Sequence, residues 1–172
     1  MSQTGTPRPN PYPQFVEVAR AMAQGGQPAA CLAALDVALA QAIGHKLFTV
    51  LVVNRDRKEN QRYYSNMPAA YPVGGAKPIV ADSPAMREVI IAGRCRINHD
   101  YGELRAAFPD HELIRSLGCE SSVNVPVRWA GTTLGMLNVL HVSGHYSAAD
   151  IPTLSVFGAL AVPALRDIIA TW

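Results

Sequence analysis

An α+β domain is the fold class that the sequence predicts, and three observations predict it. Apolar residues recur at helical spacing before residue 44 and after residue 150. Between them the period changes to strand-like alternation, and two of the strand runs are joined by a short glycine turn. Taken in order, Met1 to Gln14 carries Pro7, Pro9, Pro11 and Pro13 among small and polar residues, which predicts a disordered lead-in over 1–14. A single folded domain over 15–172 follows. Phe15, Val18, Ala19 and Met22 predict a short helix that stops at Gly25-Gly26. Pro28 suits a first helical turn, Leu32, Leu35, Leu39, Ala42 and Ile43 line one stripe, and Gly44 sits where a left-handed cap belongs. Leu47 to Val53 is a β-branched run of strand length, and Arg62 to Ser65 follows a charged turn at Asn54 to Asn60, as in an antiparallel hairpin. Met67 to Lys77 reads as an irregular loop. Ser83-Pro84 opens a helix that ends near Gly93, Cys95 to Asn98 is a short strand, and Asp110 caps a helix from His111 to Leu117, closed by Gly118.

The run from Glu120 to His141 is the most informative. Its two strands meet at Ala130-Gly131-Thr132, and pairing Asn124 with Asn138 gathers Val123, Val125, Val127, Leu137 and Val139 on one face. The other face then holds Ser122, Asn124, Pro126, Met136, Asn138 and Leu140. One face is a core and the other is mixed. Ser147-x-x-Asp150 predicts a capping box before a long apolar helix, Ile151 to Ala170, bent at Pro163. Its uncharged stretch, Ile151 to Leu165, is 15 residues long, short of the ~20 that a membrane span needs, and contains two prolines. Packing on the sheet and on a second subunit is the expectation instead.

Composition restricts the function classes. Of the 172 residues, 49% are hydrophobic and 16% charged, and the net charge is +2, which leaves no strong footprint for nucleic acid. An odd count of three cysteines and the lack of a basic-then-apolar leader predict a reducing, cytoplasmic setting. There is no G-x-S-x-G elbow, phosphate loop, dinucleotide glycine pattern or H-E-x-x-H. His141 and His145 lie four apart without an acidic or thiol companion, so no metal site and no cofactor is expected. His45, at the start of a strand, is expected to be exposed.

The block Ser122-Val123-Asn124-Val125-Pro126-Val127, then Gly131, then Leu134-Gly135-Met136-Leu137-Asn138 resembles the S-x-x-V-P strand, turn glycine and L-G-x-L hairpin of GAF domains. Tyr146 to Asp150 followed by Leu154 is similar to the family's opening of the final helix, and the likeness spans about Pro28 to Ala170. The resemblance implies a PAS-like antiparallel sheet of five to six strands with the terminal helices on one face and a ligand pocket on the other. It also implies frequent dimerisation through those helices.

The pocket candidates come from the mixed strand face and from the segment that covers it in this family. Ser122, Asn124 and Asn138 offer hydrogen bonds from a rigid sheet, with Met136 and Leu140 between them. Asn98, Asp100, Tyr101, Phe108 and His111 fall in the covering segment. An uncharged floor predicts a neutral or weakly polar small molecule, in a sensor domain that signals through a homodimer or a partner protein. The alternative is free methionine-R-sulfoxide reduction, an activity of one branch of this fold that uses three cysteines; Cys95 and Cys119 would be its redox pair, with Cys31 an ordinary buried thiol. The resemblance also weighs against this alternative, because those reductases hold the substrate's ammonium with carboxylates where this chain has Ser122, Asn138 and Leu140.

Overall fold

Residues 7–79 and 83–172 are described by the computed structural model of the chain. Two helices, α1 (Tyr12–Met22) and α2 (Ala29–Ala42), lead into β1 (Leu47–Asn54) and β2 (Glu59–Ser65), and the edge strand β3 (Ala76–Pro78) follows. A π-helical turn (Met86–Ile91), β4 (Arg96–Asn98), α3 (Tyr101–Ala107) and α4 (His111–Ser116) precede the long hairpin β5 (Ser121–Trp129) and β6 (Thr132–His141). The chain closes with α5 (Ile151–Leu160) and α6 (Val162–Ile169). All six strands form one antiparallel sheet in the order β3-β2-β1-β6-β5-β4.

The hairpin has the register that its alternation demands, with Asn124 opposite Asn138 and Val123 opposite Val139. Ala130 and Gly131 both take positive φ, 48° and 77°, as a two-residue turn between right-twisted strands requires. Val123, Val125, Val127, Leu137 and Val139 are fully buried in the principal core, together with Leu35, Leu39, Phe157 and Leu165 of the helices. At ~25 cal/mol per Å² of apolar surface, that layer is the main source of stability. The opposite face carries a smaller cluster of Leu47, Leu140, Tyr71, Leu104, Ile114 and Cys119.

Both ends of the closing helices follow from local chemistry. Ser147 and Asp150 form the reciprocal capping box, and α5 and α6 meet at 42° beside Pro163, whose missing N–H breaks the helical ladder. Among the described residues no single helix is long and apolar enough to cross a membrane.

Several expectations are corrected. The lead-in is shorter than its prolines imply: α1 begins at Tyr12, and Arg8 is held by Asp150 at 2.9 Å and by the His145 carbonyl at 2.6 Å. Residues 1–6 of that lead-in lie outside the described residues. Ala76 and Lys77, read as the end of a loop, belong to the edge strand Ala76–Pro78, which pairs with β2. Asp100 caps a helix that the sequence reading did not contain, accepting the Glu103 N–H at 3.0 Å. Asp110 precedes α4 without capping it, because its carboxylate is engaged elsewhere. His45 is not exposed: its side chain is 3% accessible and pairs with Asp36 at 3.0 Å.

Candidate ligand-binding site

The face of the sheet turned away from the terminal helices is built in rungs. Thr49, Asn138 and Asn124 stand side by side on β1, β6 and β5, each a register partner of the next. Apolar rungs flank them, Leu47 beside Leu140 on one side and Leu51 beside Met136 on the other. The polar rung is hydrogen-bonded along its length: Asn124 Nδ2 donates to Asn138 Oδ1 at 2.6 Å, and Asn138 Nδ2 donates to Thr49 Oγ1 at 3.2 Å. All three side chains are buried. The chain of donors leaves Asn124 Oδ1 buried with no donor, an arrangement that costs free energy unless something supplies an N–H or O–H.

Above this floor is a cavity of about 370 Å³, within the range of small-molecule sites. Phe108, Pro109 and Ile114 of the α3–α4 segment cover it, and Tyr71, Lys77, Pro78, Ser83 and Ala85 close its sides. The cover is tied together by one acid. Lys77 Nζ donates to Asp110 Oδ1 at 2.8 Å and the Tyr71 hydroxyl donates to Asp110 Oδ2, which joins the loop before β3, β3 itself and the start of α4. Burial alone would raise the Asp110 pKa, but those hydrogen bonds from Lys77 and Tyr71 outweigh it and hold the carboxyl below its ordinary range. Burial, reinforced by the bond to Asp110, pushes the Tyr71 hydroxyl up, so it remains a donor.

The candidate residues separate into two groups. Phe108, Asn124, Met136, Asn138 and Leu140 line the cavity. The others hold its surroundings. Asn98 Nδ2 donates to Ser122 Oγ at 2.8 Å in a fully buried pair between β4 and β5. Tyr101 bonds His111 Nδ1 at 2.8 Å, linking α3 to α4 under Arg115, while Asp100 caps α3. Missing from the sequence reading were Thr49, which its register partner Asn138 points to, and the charged wall of Arg62, Lys77 and Asp110. The floor is neutral as expected; the wall is not.

None of the three cysteines lines the cavity. Cys95 packs against the principal core on the helix side and Cys119 belongs to the cluster on the opposite face of the sheet. Burial pushes the thiols of Cys31 and Cys119 up to about 11 and raises that of Cys95, which disfavours the thiolate that redox chemistry needs. Among the described residues no three His, Cys, Asp or Glu side chains gather as a metal site, and His141 and His145 stack at 3.7 Å.

No family model matches the chain and no curated protein does. Solved structures do. The GAF domain of an Acinetobacter phosphoenolpyruvate-protein phosphotransferase superposes with a TM-score of 0.75 at 13% identity, over 100% of this chain and 98% of that one. The fold is that of a GAF domain. The GAF domain of a two-component sensor histidine kinase from Bacillus halodurans matches with a TM-score of 0.65 at 9% identity, over 81% of this chain and 94% of that one. Free methionine-R-sulfoxide reductase from Neisseria meningitidis, solved with its substrate, matches with a TM-score of 0.69 at 14% identity over 99% of both chains. GAF-fold neighbours thus include both sensor domains and an enzyme.

Proposed function

We propose that this GAF domain is a non-catalytic small-molecule sensor whose ligand sits between the Thr49–Asn138–Asn124 rung and the Phe108–Ile114 cover. The observation that carries the reading is the cavity of about 370 Å³ with a buried, unsatisfied Asn124 Oδ1 on its lining. A preformed apolar space with a few fixed polar groups is what small-molecule recognition uses. Occupancy would be passed through the terminal helices to a second copy or a partner protein. Exposed Val37 on α2 and Val156 on α5 are consistent with a covered helical face.

Thermal-shift screening against a metabolite library, on the wild-type chain and on Met136→Trp, tests this. The bulky indole fills the space over the floor, so at least one compound is expected to raise the wild-type Tm and to leave the variant unchanged. No stabilising compound, or equal stabilisation of both proteins, would overturn the reading. The likeness to the Neisseria enzyme favours a second reading, reduction of methionine-R-sulfoxide, but the raised thiol pKa values and the separation of Cys95 from Cys119 across the sheet weigh against it. Incubation with thioredoxin and methionine-R-sulfoxide is expected to leave the sulfoxide unconsumed.

A further inference from the structure

Arg62 reaches the cavity because β2 is irregular. Tyr64 pairs with Val50 and Arg62 with Leu51, so Tyr63 is an extra residue in the strand, a β-bulge. Without it, strict alternation would keep Arg62 on the same face as Tyr64, whose ring lies against Phe48 on the helix side. The bulge turns Arg62 onto the lining, and Asn60 with it. Backbone bonds pin the turned residue: Arg62 N–H donates to the Gly75 carbonyl at 2.8 Å, and the Gly74 N–H donates to the Arg62 carbonyl at 2.9 Å.

Arg62 so placed is 8% exposed, and its guanidinium lies over the Tyr71 ring at 3.7 Å. Nη1 donates to the Pro72 carbonyl at 2.7 Å. Nε is buried with no acceptor, and no described carboxylate pairs with Arg62. Asp110, the acid on the same lining, is already met by Lys77 and Tyr71. Among the described residues the cavity therefore holds one positive charge with no carboxylate partner, and its unsatisfied Nε lies on the Nε–Nη2 edge, the two-donor edge that matches a carboxylate side-on. A buried charge without a counter-ion is costly, and a ligand that brings one removes the cost.

We infer that the ligand is a small organic monocarboxylate whose acid group pairs with the Nε–Nη2 edge of Arg62 and whose apolar body lies on Leu51, Met136 and Leu140 beneath Phe108. One unit of excess charge matches a monoanion, and the apolar rungs match a hydrocarbon or aromatic body. This inference rests on the ligand-binding reading above and sharpens it.

Straight-chain carboxylates from four to ten carbons, each matched with its primary amide, test the inference by calorimetric titration of the full chain. The best-fitting acid is expected to bind about tenfold or more tightly than its amide, as a charge-assisted pair implies. In Arg62→Gln that ratio is expected to fall to about one while the amide's affinity is retained, a change that loss of packing alone would not produce. Circular dichroism checks that the variant is folded, and Arg62→Lys, which keeps the charge but not the two-donor edge, should recover part of the ratio. Amides that bind as tightly as acids, or an unchanged ratio in Arg62→Gln, would overturn the carboxylate assignment and leave the ligand site standing. No binding by any member of either series would overturn the carboxylate assignment, and the ligand site would fall with it if the metabolite screen were also silent.

Discussion

Gly135 of the L-G-x-L hairpin motif occupies a place where no side chain fits, and its replacement by alanine has a consequence that can be worked from the structure. It stands on β6 between Val52 of β1 and Val127 of β5, on the face that the helices cover. A Cβ built there falls 2.1 Å from the Leu51 carbonyl oxygen, 2.7 Å from Leu165 Cδ2 and 3.0 Å from Val52 Cα. Leu165 could turn away, but the β1 backbone cannot yield without disturbing its pairing with both β2 and β6. Overpacking a core costs about 1–3 kcal/mol, and a clash with backbone belongs at or beyond the top of that range. At ~2–4 °C per kcal/mol for a domain of this size, Gly135→Ala should lower Tm by about 6–12 °C. Gly25→Ala is the control: nothing lies within 4 Å of its Cβ, so Tm should change by no more than about a degree or two. Scanning calorimetry of the two variants and the wild type decides the matter. A Gly135→Ala protein melting within about 2 °C of wild type would refute the packing argument.

Further predictions concern the floor, the histidines and the thiols. A double-mutant cycle of Asn124→Ala and Asn138→Ala in urea should give a coupling energy of about 1–2 kcal/mol, because the 2.6 Å bond joins two buried amides; additive effects would show the rung to be no network. Burial, followed by the nearby His145 ring and the charges of Lys46 and Arg8, pushes the His141 pKa down to about 4, so between pH 6.5 and 4 the unfolded chain binds the proton more readily and stability should fall as pH falls. His141→Gln should flatten that part of the Tm–pH curve, and an NMR titration placing His141 near 6.5 would contradict it. Asp36 and Asp110 act in a lower window: both carboxyls are held down by hydrogen bonds that outweigh burial, so their stabilisation is full above pH ~4 and is lost as pH drops through their lowered folded values. Asp110→Asn should therefore reduce the loss of Tm below pH 4. With thiols of raised pKa, a thiol reagent at pH 7.5 should label the native protein slowly and all three cysteines rapidly once it is unfolded; fast native labelling of Cys95 or Cys119 would revive the redox reading.

How much of this was legible in the sequence depended on the range of the forces involved. The register of β5 and β6 was legible because a one-residue slip would set valines against asparagines, and Asn124 and Asn138 did face each other on the cavity floor. Asp100-Tyr101-Gly102-Glu103 also carries a local signal. It is a capping pattern, and in the fold Glu103 Oε2 accepts the His99 N–H while Asp100 accepts the Glu103 N–H. Arg62 is different in kind. Alternation sends it to the helix side with Tyr64, and only the bulge, set by pairing with β1 and by the Gly74–Gly75 loop, brings it to the cavity. Asp110 reads locally as a helix cap, yet Tyr71 and Lys77, more than thirty residues away, take its carboxylate. Long-range partners thus decided the charged wall, while local pattern decided the neutral floor.

The most direct test of the account is a titration followed by NMR of the side-chain amides. In a spectrum of labelled protein with the carboxylate and amide series added stepwise, the Asn124 and Asn138 amide signals are predicted to shift saturably, while those of Gln14 and Gln24, beside the groove between α1 and α2, stay fixed. Saturable shifts at the helical glutamines with Asn124 and Asn138 unmoved would contradict the placement of the ligand in the cavity above the sheet.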